Sequence, residues 1–455
     1  MGDPSANEST TMIELRIQDS DVSRIVGELV GRETERCAIL LASRVVLPDG
    51  LERLIVTRIE YPDNESYSNR SLVSAELKPD YIARIGKTAA RESLSVVFVH
   101  SHPRSVPPGF SRTDDQGEVH LEHFLSVRAP GTKHVAVVVS EGGWRARCLG
   151  TKMPLRIISV GPQLQILFDP ENAQAPASLK FDRQIRALGA AGQKHLESLT
   201  VAIVGAGGTG SIAAEQLAYL GVRKFILIDP DRIELTNLNR VVGAYASDVG
   251  RFKTDVIADM IARIVSDSVS HRIVGDVTRT RFARELRGAD FIFSCTDSHG
   301  SRAVIQQIAY QYLIPCIDVG SVISASDGHI AGIHGRVQAL APGLPCFTCC
   351  ELLDSEEVRR DMMNVEERQR DSYILGAYEP APAVISINGT VSSIAMTMFL
   401  AMTVGIPSDG RNILYNARTP SLRTVSFTRN PNCYICSPQG VLGRGEAQPL
   451  FTRDD

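Results

Sequence analysis

Apolar and polar positions divide the chain into two stretches with different rhythms. Between residues 13 and 165, short runs rich in β-branched residues and bounded by turn formers predict strands at Cys37–Leu41, Leu54–Ile59, Val96–Val99 and Val135–Val139. Residues 20–31 and 75–86 have helical spacing. From Phe181 a helical stretch leads into the apolar run Thr200–Val204, a glycine-rich turn, a helix ending at Leu220 and a second run, Lys224–Ile228. Runs at Asp290–Ser294 and Pro315–Val319 flank a helical Gly300–Tyr312. This alternation predicts an α/β chain: a mixed α/β unit first, then a doubly wound, mostly parallel sheet of Rossmann-like type. The expected division is a polar leader at 1–12, a first domain at 13–165, a linker at 166–180 carrying Pro170 and Pro176, a second domain at 181–440 and a tail at 441–455.

Composition narrows the class. Apolar residues make up 43% and charged residues 22%, enough to bury sizeable cores. A formal charge of -4 gives no bulk attraction to nucleic acid or to an anionic membrane. No apolar run approaches the roughly 20 residues of a membrane helix, and the N-terminus MGDPSANEST has no secretory pattern, so the expected location is cytoplasmic. Five of nine cysteines fall into Cys346-Phe-Thr-Cys349-Cys350 and Cys433-Tyr-Ile-Cys436, a clustering that points to metal rather than disulfides.

The run Val96–Val99 ends in His100-Ser101-His102-Pro103. On an extended chain residues two apart face the same side, so both imidazoles can reach one metal. Ser111 and Asp114 follow at the spacing of a first helical turn, in a helix expected through Phe124. Asp114 would be the third ligand, leaving a fourth position for water as in catalytic zinc sites. Glu35, just before a strand, is the candidate proton shuttle, with Glu33 two residues away facing the same side. Ser111 is the candidate donor to an oxyanion.

These residues resemble the JAMM/MPN family of zinc isopeptidases, whose pattern is an upstream glutamate, H-x-H-P and S-x-x-D. The stretch between His102 and Ser111 is about one residue longer than the common form, which implies a bulged loop.

In the second half, Gly205-Ala-Gly207-Gly208-Thr-Gly210 follows a strand and opens a helix, a context in which backbone amides approach phosphates. Asp229 ends the next strand, where an acidic residue would take a ribose hydroxyl. Asp231, Asn237, Asn239, Arg240 and Lys253 crowd the following loop and helix and suit a triphosphate transferred to a carboxylate better than hydride chemistry. Asp297 ends the run at Ser294-Cys-Thr and is a candidate magnesium ligand. Cys346, Cys349, Cys433 and Cys436 have the spacing of a closed structural zinc site.

Together Phe181-Asp-Arg183-Gln-Ile, GAGGTGS, IDPDRIELTNLNR, Lys253, CTD and the C-x-x-C pairs resemble the ThiF/MoeB/HesA branch of the ubiquitin-activating superfamily. The resemblance implies ATP-dependent adenylation of the C-terminal glycine of a ubiquitin-like or sulfur-carrier protein. Asp229 would contact ribose, Asn237, Arg240 and Lys253 the phosphates, and Asp297 magnesium. Arg183 would be lent to a partner's site, which implies a homodimer.

The chain has no cysteine between Cys350 and Cys433, where transthiolating members carry their nucleophile. Three readings follow: the enzyme stops at the acyl-adenylate, Cys350 is the nucleophile, or Ser372 accepts the acyl group. The combined expectation is a bifunctional enzyme that processes a ubiquitin-like protein at zinc and activates it with ATP, with a conjugating enzyme as a further partner. Its rivals are sulfur-carrier processing and activation, a binding-only scaffold, and a nicotinamide-dependent oxidoreductase.

Overall fold

The computed structural model describes residues 12–102, 107–171, 179–326, 329–364, 367 and 382–454. Most of the expected leader, Pro103, linker residues 172–178 and Ser372 lie outside the described residues. Two compact units emerge: Met1–Val160 with Gln165–Ala173 and Gly443–Gln448, and Gln174–Leu442 with Gly161–Leu164 and Pro449–Asp455.

The first unit contains β1 (Ile13–Gln18), β2 (Cys37–Val46), β3 (Glu52–Glu60), β4 (Tyr67–Arg70), β5 (Ala75–Leu77), β6 (Ser95–Ser101), β7 (Val135–Ser140), β8 (Gly143–Cys148), β9 (Arg156–Val160) and β10 (Leu164–Phe168). Its helices are α1 (Asp19–Leu29), α2 (Pro79–Glu92) and α3 (Arg112–Arg128). Eight strands form one mixed sheet in the order β10-β9-β1-β3-β2-β6-β7-β8. Strand alternation sorts side chains to two cores. Ala38, Leu40, Val97 and Val99 join Val22, Ile25 and Leu29 of α1. Ile39, Leu41 and Val96 join Ile85 and Ala89 of α2 and Leu125 of α3. The stretch 75–86 is not wholly helical: Ala75–Leu77 pairs with β4 as a hairpin, and Pro79, favourable in a first turn, starts the helix.

The second unit contains β11 (Thr200–Val204), β12 (Lys224–Ile228), β13 (Val269–Ile273), β14 (Phe291–Ser294), β15 (Cys316–Ser326), β16 (His329–Leu340), β17 (Asn412–Asn416) and β18 (Ser421–Thr424). Its helices are α4 (Asp182–Ser198), α5 (Gly208–Leu220), α6 (Lys253–Ile264), α7 (Thr280–Ala283), α8 (His299–Gln311), α9 (Ser355–Met362) and α10 (Ile385–Thr403). The sheet order is β13-β12-β11-β14-β15-β16-β17-β18. Strands β13 to β15 along this order are parallel, and β16, β17 and β18 continue antiparallel. The predicted run Pro315–Val319 is only the start of β15, which extends to Ser326 because β16 pairs along it.

Helix α10 corrects one sequence-based statement: it has 19 residues of mean hydropathy 1.4, long and apolar enough to cross a membrane by length and composition. Its apolar residues pack against protein, with Val391, Ala395, Phe399 and Met402 buried, and Phe399 meeting Phe291 edge-on at 4.9 Å. The expected tail is also tied down. Phe451 N donates to Gln307 Oε1 at 2.7 Å, and Arg453 Nε to Thr278 Oγ1 at 2.9 Å.

Candidate functional site

Two clusters of chemically active side chains form, one in each unit. In the first, β6 alternation puts His100 on the α2–α3 side of the sheet, opposite Cys37 of β2. His102 continues beyond β6, its N–H donating to Val139 O at 2.9 Å. Ser111 is the N-cap of α3, and it makes a reciprocal capping box: its Oγ accepts from Asp114 N at 3.2 Å, and Asp114 Oδ2 accepts from Ser111 N at 2.6 Å. The capping box therefore fixes the carboxylate that the histidines face.

His100 Nε2 lies 3.2 Å from Asp114 Oδ1, and His102 Nε2 3.8 Å from Asp114 Oδ2. The His100 atom is buried and makes no aligned hydrogen bond. One ligand atom from each of the three residues lies within 4.8 Å of the others. Two imidazoles and a carboxylate fit a zinc ion with one position open. Burial works to raise the Asp114 carboxyl, but His100 and the Ser111 donors hold it well below the usual carboxylate range. Burial and neighbouring His100 lower His102, which favours the neutral, ligating imidazole.

Glu35, not exposed Glu33, faces this cluster: it is 6% exposed, with Oε1 3.8 Å from His102 Nε2. Burial raises its carboxyl to about 7, with His100 pulling it down and Asp114 pushing it up. The hairpin β4–β5 holds it in place, since Glu35 N donates to Ser71 O at 2.8 Å and Cys37 N to Tyr67 Oη at 3.0 Å.

In the second unit each motif glycine has its own reason. Gly205 has φ +92, and a Cβ there would lie 2.6 Å from Cys295 O. A Cβ at Gly210 would collide with Gly205 O. Around Gly207, by contrast, the space is open, as a loop that admits a ligand requires. Asp229, 5% exposed, clamps this loop: Oδ2 accepts from Ala206 N at 2.7 Å and Oδ1 from Asp231 N at 2.8 Å. Burial raises its carboxyl, and Lys253 opposes that. Lys253 Nζ donates to Asp231 Oδ2 at 2.8 Å and lies 3.9 Å from Asp229 Oδ1.

Asn237 uses Oδ1 to accept from Glu234 N at 3.1 Å, capping its own turn. Arg240 Nη1 donates to Thr236 O at 2.6 Å and to Asn239 Oδ1 at 3.2 Å. Asp297 is exposed beyond β14, and its carbonyl accepts from Arg302 Nη1 at 3.3 Å. The cysteine thiols of Cys346 and Cys433, and of Cys349 and Cys436, lie 3.5 Å apart, and all four sulfurs fall within 4.8 Å. This set fits a four-thiolate structural zinc.

Two expected catalytic residues stand apart. Arg183 is exposed on α4 and reaches no partner among the described residues. Cys350 is 6% exposed, burial raises its thiol, and Gln338 Nε2 donates to its sulfur at 3.4 Å. A buried, protonated thiol is a poor nucleophile.

Sequence reasoning missed the groups behind Asp297. Fully buried Asp318 accepts from Ser294 Oγ at 2.9 Å, Arg302 Nε at 3.0 Å and Arg336 Nη2 at 2.8 Å. Arg302 therefore ties the Asp297 loop to the sheet. Asp361 of α9 receives Ser298 Oγ at 2.7 Å and Gly300 N at 2.9 Å, fastening α9 to the start of α8. The available signal was a charge, Asp318, inside a run otherwise patterned as a buried parallel strand.

Residues 181–435, more than half of the chain, match the ThiF family. Over 56% of this chain and 86% of the relative, it is 28% identical to the SAMP-activating enzyme E1 of Haloferax volcanii. It is 26% identical to the molybdopterin-synthase adenylyltransferase of Escherichia coli K12, covering 57% of this chain and 96% of that one. The sulfur carrier protein ThiS adenylyltransferase of the same strain is 24% identical, with 57% and 94% covered. The family match begins at residue 181, so the reading of the first unit rests on its own geometry.

Proposed function

The chain belongs to the ThiF family, and from that premise we propose that its second unit uses ATP to adenylate the C-terminal carboxylate of a ubiquitin-like or sulfur-carrier protein. The observation that carries this is the clamped glycine loop, Asp229 fixing Ala206 and Asp231 while Lys253 and Arg240 stand beside it. A carrier carboxylate oxygen attacks the α-phosphorus, the bond to the bridging oxygen breaks, and pyrophosphate leaves. Gly207, Asn237, Arg240 and Lys253 bind the phosphates, and Asp297 would hold magnesium. Arg183, exposed and unpaired among the described residues, is available to a second copy, which supports the homodimer. Intact-mass detection of a carrier adenylate, present with wild type and absent with Asp297→Ala, tests the reading; adenylate formed equally by the variant contradicts it.

For the first unit the proposal is hydrolysis of a peptide or isopeptide bond at the C-terminus of such a carrier. Zinc held by His100, His102 and Asp114 would supply Lewis-acid activation of water. Glu35, with its carboxyl near neutrality and beside His102, takes and passes on a proton. Ser111 Oγ accepts from Asp114 N and keeps its own proton for the carbonyl oxygen under attack. Cleavage of a carrier fusion that stops with a chelator and returns with zinc is expected; cleavage indifferent to both contradicts this half.

One observation favours the sulfur-carrier version of the substrate: the burial of Cys350, with no cysteine from 351 to 432, leaves the acyl-adenylate without a resident thiol.

A further inference from the structure

We propose that Asn388 is a phosphate-binding residue of the nucleotide site, its side-chain Nδ2 donating to an oxygen of the ATP phosphates at the glycine-rich loop. The inference rests on the adenylation reading above and adds to it a residue from a distant helix.

Asn388 lies one turn into α10 and is only 4% exposed. Its Oδ1 accepts from Ser321 Oγ at 3.1 Å. No hydrogen bond involves its Nδ2 among the described residues, and that nitrogen is not sealed from solvent, so the donor is open to a ligand. The position of that donor identifies the acceptor. A Cβ at Gly208 would collide with Asn388 Nδ2 and would come within 3.5 Å of Arg240 Cδ. The amide and the arginine thus converge on the first residue of α5.

Gly207 is the N-cap of α5 and Val384 that of α10, and neither makes a side-chain cap bond. Ser392 Oγ, two turns into α10, donates to Thr209 O at 3.2 Å, fastening α10 to the start of α5. An uncapped start of α5 with an amide side chain and an arginine beside its first residue favours an anion. A purely structural Asn388 would need only its bond to Ser321.

The two roles separate by substitution. Asn388→Asp keeps the shape and an oxygen for Ser321 but puts a negative charge where the donor was. Asn388→Ala removes both groups. Binding of magnesium ATP and of adenosine, which has no phosphate, is measured by calorimetry on the full chain, with melting temperature as the check on folding. The expected result is a loss of ATP affinity of roughly tenfold or more for Asn388→Asp, a smaller loss for Asn388→Ala, and adenosine binding unchanged in both. Equal losses for ATP and adenosine, or ATP affinity within about twofold of wild type in both variants, overturn the inference while leaving the nucleotide reading intact. Wild type that binds neither ligand overturns that reading, and the inference falls with it.

Discussion

Replacing His134 with asparagine should remove an acid sensitivity built into the strand that carries His100. His134, 7% exposed, accepts Val96 N at its Nδ1 at 3.0 Å, at the start of β6. Its Nε2 lies 3.2 Å from Thr132 Oγ1, which itself donates to Ala129 O at 2.8 Å. Only the neutral Nε2–H ring satisfies both ends of this chain. Burial lowers the pKa from its ordinary 6.5 to about 4. Between those values the unfolded chain binds more protons than the folded one. This contribution is therefore complete above 6.5 and is lost as pH falls toward 4. At about pH 4.5 the linkage costs the folded state about 2.5 kcal/mol. With a urea dependence of about 2 kcal/mol per M, that is a midpoint shift of roughly 1 M. An asparagine in this place would keep an acceptor near Val96 N and cannot titrate. Trp144, the chain's one tryptophan, is buried in the first unit's core and reports its unfolding by fluorescence. The variant should lose less stability than wild type between about pH 7.5 and 4.5, by that margin. A wild-type-minus-variant difference that does not move with pH refutes the reasoning.

Three further outcomes follow from the sites. Asp297→Ala should abolish carrier adenylation and leave carrier cleavage intact, and His100→Ala should do the reverse; loss of both activities in either variant contradicts independent chemistry in the two units. Cys436→Ser should lower bound zinc by one equivalent and the melting temperature of the second unit, because one of four converging thiolates is gone; unchanged zinc content counts against a closed structural site. Gly210→Ala forces a Cβ into Gly205 O and should destabilise the loop even without ligand. Gly207→Ala meets open space and should leave melting unchanged while weakening ATP binding roughly tenfold or more.

Much of this was legible because local rules and tertiary demands agreed. The β11–α5–β12 opening was readable from apolar runs around a glycine turn, and the start of α3 from Ser111 and Asp114 at the spacing of a first turn. The pairing of β15 with β16 was not, since antiparallel continuation depends on a partner strand distant from the motif. Helix α10 hid its two roles: its apolar face answers to Phe291 and Phe293, while Asn388 answers to a glycine loop far earlier in the chain. No spacing rule links those positions. The environment of Cys350 was not legible either: proximity to a cysteine pair suggests an acidic thiol, whereas burial raises this one.

The central claim is that the second unit activates a carrier carboxylate, and ATP–pyrophosphate exchange tests it most directly. Purified protein is assayed with and without ubiquitin-like and sulfur-carrier proteins ending in diglycine. Exchange that requires a carrier and disappears in Asp297→Ala is the predicted result; ATP binding with no exchange on any carrier would contradict the account.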